Sequence, residues 1–396
     1  MTDEVKRLSV EHFDARMELS QFAFQYQLSR EELEKRKKQD AELPSAKWGI
    51  FDGDKLAAQL TVLDLPVYIG GQSFRMGGVA GVSTWPEYRR QGLVAKLLRH
   101  SLQEMKAEGQ TISMLHPFSF SFYRKFGWET YIEYKKYTLK TSELPPKTAY
   151  EGRMVRVEGQ PELLNGIYEQ YAVRYNGMLG RSRAWWNIRV FSPKPEVSVV
   201  YYNESGEPTG YIIYAVKEKK MTVEEFVALD NQAYSALWTY IGQHDSMIDS
   251  VTLTMPSDDM LAYRLPNPRI GQEIVPYFMA RIVDAEAFVA QYGFVPSADE
   301  TKSNIRIRDE HAPWNNGDFE LTIKSSGEAV LTRYDGELES AGALSIDIGS
   351  LTALLLGYRT LGELRAIGRA SGMAEEDARR LEARIPKAVT YLADFF

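Results

Sequence analysis

The sequence contains no cysteine among its 396 residues. Disulfide bonds, thiolate metal ligands and a cysteine nucleophile are therefore excluded. Histidine is scarce as well: the five histidines are His12, His100, His116, His244 and His311, and they form neither an i, i+4 pair nor an H-E-x-x-H pattern. The sequence accordingly predicts no metal site.

Long hydrophobic runs are also missing, since no apolar stretch approaches the roughly 18 residues that a membrane-spanning helix requires. We therefore expect a cytoplasmic protein without a membrane partner. The net charge is -7 and no element carries a basic stripe, which argues against nucleic acid as a partner. An acidic balance suits a cationic small molecule instead. The length and the 44% hydrophobic content are typical of a globular protein with two or three domains.

The most informative segment covers residues 79–129. It begins with a strand-like run, Val79–Thr84, and continues through the basic turn Arg89–Gln91 to Gly92. Apolar residues then recur with the spacing of a helix that buries one face. These residues are Val94, Leu97, Leu98, Leu102 and Met105, and Gly109 follows them as the expected cap.

A helix that starts at this turn creates an anion site. Up to four backbone N–H groups at a helix N-terminus lack intrahelical partners, and the helix dipole adds a positive potential. Gly92 allows the backbone to approach a phosphate closely, while Arg89 and Arg90 can supply charge-assisted hydrogen bonds. The turn therefore predicts a pyrophosphate site, and the alternative is an ordinary solvated arginine-rich turn.

The R-x-x-G form of this turn also occurs elsewhere in the sequence. It is found at Arg369–Gly372 and, more loosely, at Arg174–Gly177. Neither of these follows a strand-like run, and each continues out of a helical pattern. The context therefore favours the turn at Arg89 as the phosphate site.

The turn resembles the phosphate-binding motif of the GNAT superfamily of acyl-CoA N-acyltransferases, which reads Arg or Gln-x-x-Gly-x-Gly or Ala. Arg89 and Gly92 match this motif, whereas Val94 stands where a small residue is usual. The run of basic residues followed by a glycine and two aliphatic residues resembles the corresponding segment of the Eis (enhanced intracellular survival) family of N-acetyltransferases. The segments 236–247 and 347–357 and the aromatic end Asp394–Phe396 extend this resemblance over nearly the whole chain.

The resemblance implies an α/β (α+β) fold with two GNAT-like mixed-sheet domains in tandem, followed by a sterol-carrier-protein-like α+β domain. We expect an acetyl-CoA-binding catalytic domain over residues 1–148, which ends at a proline-rich linker. A degenerate GNAT-like domain that binds no CoA is expected over 149–290, with a helix at Ala233–Gly242. The third domain is expected over 291–396, where Thr360 and Glu363 predict a capping box.

The same resemblance implies acetyl-CoA as the cofactor. Backbone N–H groups of the strand that precedes the turn would meet the thioester oxygen, and the pantetheine would pair with this strand like an added strand. The residues expected to contact the cofactor are Val82, Ser83, Thr84, Arg89, Arg90, Gln91, Gly92, Leu93, Val94, Ala95, Phe118 and Ser119.

Tyr123 lies in a short helical segment before Gly127, at the place where the GNAT family keeps its general acid. Transfer of an acetyl group from a thioester to an amine requires a proton for the departing thiolate. A phenol with a pKa of about 10 matches an alkylthiolate of similar basicity. We therefore expect Tyr123 to be the acid, and the alternative is a packed aromatic residue.

The chain end has a role by resemblance. In Eis proteins the carboxylate of the last aromatic residue enters the active site, and this chain ends at Phe396. An α-carboxylate with a pKa of about 3.5 is a weak base, so we expect Phe396 either to act as the base after burial or to hold the cationic substrate. A docked hydrophobic tail is the alternative, and His116 is another candidate base. Phe24, Gln25 and Tyr26 are the expected substrate contacts, with Gln25 in place of an acidic residue of the family.

Two functions follow from these features. The first is an enzyme that acetylates primary amines of cationic small molecules, such as aminoglycoside-like amino sugars or polyamines, and that forms a homo-oligomer, hexameric by resemblance. The second is a non-catalytic module for acyl-CoA sensing or lipid carriage. The presence of both Tyr123 and an aromatic chain end favours the enzyme.

Overall fold

The computed structural model describes residues 4–192, 196–334 and 342–396. It consists of two compact units, and each unit draws on separate parts of the sequence. The first unit comprises Met1–Tyr131, Phe278–Lys387 and Phe396. The second comprises Ile132–Tyr277 and Ala388–Phe395.

A mixed sheet forms the centre of the first unit. In spatial order its strands are β1 (Val5–Arg7), β2 (Ser45–Asp52), β3 (Lys55–Ile69), β4 (Gln72–Thr84), β5 (Ile112–Leu115), β15 (Met279–Ile282) and β6 (Glu129–Thr130). Two-residue turns join β2 to β3 and β3 to β4, and they contain Gly53, Gly70 and Gly71 at φ values of 58°, 57° and 75°. Glycine suits these turns because the left-handed region matches the twist of the flanking strands.

α-Helices lie between these strands in the sequence. They are α1 (Phe13–Phe24), α2 (Arg30–Glu42), α3 (Leu93–Ala107) and α4 (Phe120–Arg124). The predicted buried face of α3 is confirmed, because Leu97, Leu98, Leu102 and Met105 are all buried. Gly109 is confirmed as the capping glycine. It follows the C-cap residue Glu108 at a φ of 73°, its N–H donates to the Lys106 carbonyl at 3.0 Å, and the Gln110 N–H donates to the Met105 carbonyl at 2.8 Å.

A second sheet in the first unit belongs to the predicted third domain. Its strands in spatial order are β18 (Ala329–Arg333), β17 (Gly317–Ile323), β16 (Thr301–Arg308), β19 (Leu344–Asp347) and β20 (Ala370–Ser371). The helices of the same part of the chain are α9 (Ala285–Gln291), which crosses the predicted boundary between 290 and 291, α10 (Ile348–Leu355), α11 (Leu361–Ala366) and α12 (Glu375–Glu382). The capping box of Thr360 and Glu363 is confirmed at the start of α11.

The second unit contains another mixed sheet. In spatial order its strands are β14 (Gly271–Pro276), β7 (Glu133–Lys140), β13 (Ser250–Pro256), β12 (Lys220–Ala228), β11 (Pro208–Lys217), β10 (Val197–Tyr202) and β8 (Arg153–Val157). A separate strand pair is formed by β9 (Tyr175–Asn176) and β21 (Val389–Thr390). The helices of the second unit are α5 (Pro161–Ala172), α6 (Arg183–Trp185), α7 (Asn231–Gly242) and α8 (Leu261–Arg264). The helix predicted at Ala233–Gly242 is thus confirmed as α7.

Each of the two large sheets includes one strand from the sequence segment predicted for the other domain. Strand β15, at residues 279–282, pairs with β5 and β6 in the first unit. Strand β7, at residues 133–140, pairs with β13 and β14 in the second unit. The domain boundaries at 148 and 290 stay a prediction. A division of the sequence at these two positions does not account for the exchange of β7 and β15 between the sheets.

A buried cluster of charges lies in the second unit. Arg181 donates to Asp394 at 3.0 Å and to Glu225 at 2.6 Å, and the side chains are at most 8% exposed. Trp185 donates to Asp394 at 2.7 Å, and Tyr211 donates to Glu225 at 2.7 Å. Burial disfavours the charge of Arg181, but the two carboxylates raise the pKa of the guanidinium well above its usual value.

Two further features concern only the described ranges. No helix there combines the length and apolar character needed to span a bilayer. Nor do those ranges bring three histidine, aspartate or glutamate side chains together as ligands for a metal ion.

We expect Arg181→Met to lower the free energy of unfolding by about 3–5 kcal/mol, because it leaves two buried carboxylates without their cation. Arg183→Met is the matched control, since Arg183 pairs with Glu162 at an exposed site, where an ion pair contributes at most about 1 kcal/mol. Urea denaturation of the two variants and the parent measures the difference. Equal unfolding midpoints for the two variants would show that the cluster does not stabilise the fold.

Candidate active site

The first sheet opens beside β4. Strands β4 and β5 pair in parallel from Met76 opposite Ile112 to Val79 opposite Leu115, where β5 ends. Strand β4 continues to Thr84 and stays paired with β3 on its other side, with a register shift near Gly81. Residues 80–84 therefore present backbone groups to an edge that no described strand covers.

The predicted residues Val82, Ser83 and Thr84 all lie on this open part of β4. The Ser83 hydroxyl donates to the Gly81 carbonyl at 3.3 Å and accepts from Gln59 at 3.1 Å. The Thr84 hydroxyl oxygen is buried and has no hydrogen-bond partner among the described residues.

The basic turn follows β4 and leads into α3. Arg89, Arg90, Gln91 and Gly92 are exposed, and Gly92 stands at the N-cap position with a φ of 81°. The first backbone bond of the helix runs from Lys96 N–H to the Gly92 carbonyl at 3.1 Å.

The N–H groups of Leu93, Val94 and Ala95 precede that bond and have no partner among the described residues. Unpaired N–H groups at a helix N-terminus attract anions. The structure therefore places the predicted phosphate residues around free donors and exposed arginines.

Tyr123 lies on α4 with only 2% of its surface exposed. Its ring contacts the rings of Phe118 and Phe122, each at 5.2 Å, and that of Trp128 at 6.4 Å. No described residue forms a hydrogen bond with its hydroxyl group. Burial raises the pKa of Tyr123 well above its usual value, so the phenol keeps its proton at neutral pH.

Phe118 and Ser119 lie directly before α4. The Phe118 ring is 70% exposed. Ser119 occupies the N-cap position of α4, and its hydroxyl oxygen is 3.1 Å from that of Ser121 rather than bonded to the helix backbone. Both side chains are therefore available to a ligand beside Tyr123.

One hydrophobic cluster brings these separate elements together. Its buried and half-buried members include residues of β4, β5, α3 and α4. They include Val79, Val82, Leu93, Val94, Ala95, Leu97, Leu115, Phe122 and Tyr123. The end of the β4–β5 pairing, the start of α3 and the tyrosine thus share one core.

Phe396 also lies against β4. Its ring is 4.9 Å from that of Phe278, and the residue is 7% exposed. A Cβ atom on Gly78 would lie only 2.8 Å from Cε2 of the Phe396 ring. Gly78 pairs with Met114, one residue before the pairing of β4 and β5 ends. The last residue of the chain therefore packs on the sheet beside the opening.

His116, the other candidate base, follows the last residue of β5. Its ring lies 5.5 Å from that of Phe278, which in turn contacts Phe396. Desolvation by its neighbours lowers the pKa of His116 below the usual value. A neutral imidazole near the opening can accept a proton, so His116 stays a candidate.

The predicted substrate residues lie at the end of α1. Phe24 is 53% exposed, and Gln25 ends the helix at a φ of 57°. The Tyr26 hydroxyl is 2.9 Å from that of Ser20. Gln59 connects this helix to the opening, because its side-chain amide donates both to the Arg16 carbonyl at 3.0 Å and to Ser83.

Several residues of the site were not predicted from the sequence. Gln59 is a buried polar residue between the buried apolar residues Ala58 and Leu60, and Gly78 is a glycine inside a strand, so each carried a signal of a special role. Trp85 follows Thr84 and lies 4.8 Å from the exposed Phe22 ring. Phe278 carried no signal, because its contact with Phe396 joins residues far apart in the sequence.

Comparison with family models supports this description of the fold. Residues 4–131 match a GNAT acetyltransferase domain, and residues 177–282 match a second GNAT acetyltransferase domain. Residues 285–393 match a sterol carrier protein domain. The predicted fold class is thereby confirmed.

Whole-chain relatives agree with these matches. An uncharacterized N-acetyltransferase of Streptomyces avermitilis is 23% identical over 359 residues, which cover 83% of this chain and 82% of the relative. A crystal structure from Enterococcus faecalis V583, named "Probable N-Acyltransferase", is 29% identical with a TM-score of 0.92 and covers 99% of both chains. Eis1 of Mycobacterium abscessus is 20% identical with a TM-score of 0.81, covers 99% of this chain and 100% of that chain, and shows the same fold.

The matched domains and the relatives lead to the same assignment. GNAT domains occupy both regions that contain the two large mixed sheets, and the relatives that span most of the chain are N-acetyltransferases by name. The chain therefore consists of two GNAT acetyltransferase domains in tandem followed by a sterol carrier protein domain, and it is an acyltransferase.

Proposed function

We propose that this protein transfers an acetyl group from acetyl-CoA directly to a primary amine of a cationic small molecule, in the manner of the Eis family. The observation that carries the proposal is the opening beside residues 80–84 of β4, which lies in one core with the free helix N-terminus and Tyr123. An open strand edge, an anion site and a buried acid are the features that acyl transfer from CoA requires.

The residues of the opening fit acetyl-CoA. The pantetheine amides can pair with the open edge of β4. The N–H groups of residues 93–95 and the arginines of the turn would hold the pyrophosphate. A backbone N–H of residues 82–84 would donate to the thioester oxygen as negative charge develops there.

Proton transfer can then be assigned to two groups. Tyr123 would protonate the departing thiolate. Burial raises the pKa of Tyr123 above its usual value, so the phenol is protonated at neutral pH but is a weaker acid than an unperturbed phenol with a pKa of about 10. The Phe396 carboxylate would accept the proton of the attacking amine or hold the cationic substrate beside the sheet. The substrates that we propose are polyamines and amino sugars of the aminoglycoside type.

Lipid carriage receives no support from the sterol carrier protein domain. An apolar cavity in this domain is lined by residues such as Phe294, Ile305, Leu321 and Leu354, and its volume is about 20 Å³. A cavity of this size holds roughly one water molecule and has no room for an acyl chain. Assembly as a homo-oligomer, hexameric by resemblance, and a cytoplasmic location stay predictions within this proposal.

The proposal is tested by thiol release from acetyl-CoA with a panel of polyamines and aminoglycosides. The parent protein should release thiol only when a primary amine is present, and Tyr123→Phe should lower kcat by roughly 10²–10⁴-fold, the range for one acid–base group. The affinity for acetyl-CoA should change little, because only the hydroxyl is lost. Amine-dependent release by Tyr123→Phe at the parent rate would exclude Tyr123 as the acid, and no release by the parent would exclude the reaction.

The cofactor site is tested by Gly92→Glu, which places a carboxylate beside the proposed pyrophosphate. We expect at least about tenfold weaker binding of acetyl-CoA in calorimetry, since one charge-assisted hydrogen bond contributes about 1.5–3 kcal/mol. Gly53→Glu is the matched control, because Gly53 also has a positive φ and open space around a new Cβ atom but lies in the β2–β3 turn. Unchanged binding by Gly92→Glu would place the cofactor elsewhere.

The role of the chain end is tested by a short Gly-Ser extension after Phe396. The extension keeps the aromatic ring but moves the carboxylate, so we expect a roughly hundredfold lower kcat with an unchanged affinity for acetyl-CoA and an unchanged melting temperature. The same extension at the N-terminus serves as the control. Native turnover by the C-terminally extended protein would leave Phe396 as a packed tail and direct the search for the base to His116.

A further inference from the structure

The turn that follows Tyr123 is held by residues of the sterol carrier protein domain and of β15. The backbone N–H groups of Phe126 and Trp128 both donate to the Tyr123 carbonyl, at 2.9 and 3.3 Å. Any displacement of residues 126–128 is therefore transmitted to the last turn of α4 and to the tyrosine itself.

Arg281 makes the central contact with this turn. It is on β15, is 0% exposed, and donates to the Phe126 carbonyl through one terminal nitrogen. The guanidinium also lies over the Trp128 ring, 5.3 Å from its centroid. Arg281 thus contacts the turn through a hydrogen bond and a cation–π interaction at the same time.

Asp309, from the sterol carrier protein domain, fixes the orientation of Arg281. Its carboxylate accepts from Arg281 and also from the backbone N–H groups of His311 and Ala312, both at 3.1 Å. The Asn315 side-chain amide donates to it at 3.1 Å. A buried carboxylate with so many donors has one orientation, and the guanidinium paired with it is equally constrained.

Packing adds a second constraint at Gly127. This residue has a φ of 84°, and a Cβ atom there would lie 2.7 Å from Cγ2 of Ile348 and 2.9 Å from a terminal nitrogen of Arg281. The turn therefore fits closely against the first residue of α10. Its position depends on the sterol carrier protein domain, which supplies Ile348.

An outer ion-pair network holds the next residues. Glu129 accepts from Arg124 at 2.8 Å and from Arg369 at 3.1 Å, and Arg369 also pairs with Asp347 at 3.2 Å. Asp347 caps α10 by accepting from the Ser350 N–H at 2.9 Å. The segment from Arg124 to Glu129 is thus connected to α10 twice. Gly127 packs against Ile348, and Glu129 is joined through Arg369 to Asp347 at the N-cap of α10.

We propose that Arg281 is a positioning residue for Tyr123, and that the sterol carrier protein domain is the scaffold that sets the place of the general acid. The proposal rests on the proposed function, in which Tyr123 protonates the departing thiolate. Arg281 touches neither substrate nor cofactor in this scheme. It acts through the Phe126 carbonyl and the Tyr123 backbone.

The test is Arg281→Lys, which keeps the positive charge beside Asp309 but cannot reach Asp309 and the Phe126 carbonyl together. A displaced acid is expected to lower kcat by about tenfold to hundredfold and to leave the KM for acetyl-CoA within twofold. Arg384→Lys is the matched control, because Arg384 is also buried but lies in the sterol carrier protein domain and binds carbonyl groups of Val295, Asp299 and Lys324 instead of the turn after Tyr123. It should lower the melting temperature with native kcat.

The decisive readout is the double variant with Tyr123→Phe. Arg281→Lys should change kcat by less than twofold in that background, because the group that it positions is already absent. A merely structural role would reduce kcat by the same factor in both backgrounds. Arg369→Gln, at the partly exposed outer network, should show the same pattern with a smaller loss, and it replaces Arg281→Lys if that protein does not fold.

The outcomes separate the two proposals. If Tyr123→Phe is slow but both Arg281→Lys and Arg369→Gln keep native kcat, or if their losses persist in the Tyr123→Phe background, the positioning role is wrong and the general acid stands. If Arg384→Lys loses as much kcat as Arg281→Lys, the loss reflects stability and the positioning role is again wrong. If Tyr123→Phe has native kcat, Tyr123 is not the acid and the positioning role falls with it.

Discussion

The separation of β4 from β5 after Val79 is the constraint on which the rest of the site depends. A backbone edge inside a folded domain requires partners for its N–H and C=O groups, and among the described strands residues 80–84 pair only with β3. The register shift near Gly81 turns this part of β4 as it leaves β5. The helix start at Leu93, the core around Tyr123 and the ring of Phe396 over Gly78 are all arranged around this one edge.

Local patterns account for the part of the structure that the sequence could predict. The buried face of α3, the left-handed Gly92 and the capping box at Thr360 each depend on residues within a few positions of one another. The turn from Arg89 to Gly92 could be predicted as a phosphate site for the same reason, because strand, turn and helix are consecutive. The domain order was predictable through resemblance, since no local pattern distinguishes a degenerate GNAT sheet from another mixed sheet.

The remaining features depend on contacts between distant residues. Strand β7 pairs with β13, and β15 pairs with β5, although more than a hundred residues separate the members of each pair. Periodicity within a strand carries no information about such partners. The same is true of Arg281 and the Phe126 carbonyl, which are 155 positions apart, and of the ring of Phe396 on Gly78.

The exchange of β7 and β15 has a consequence for how the chain is made. The sheet of the first GNAT domain includes residues 279–282, so it lacks a strand between β5 and β6 until the ribosome has synthesised the whole second domain. During that time the edge of β5 is open to incorrect pairing, which is a hazard for nascent chains. A fragment that stops near residue 148 would share this defect, and it would also carry β7 without the strands that β7 pairs with. The first GNAT domain is therefore not a separable module of this chain, even though a family model matches residues 4–131 as one domain.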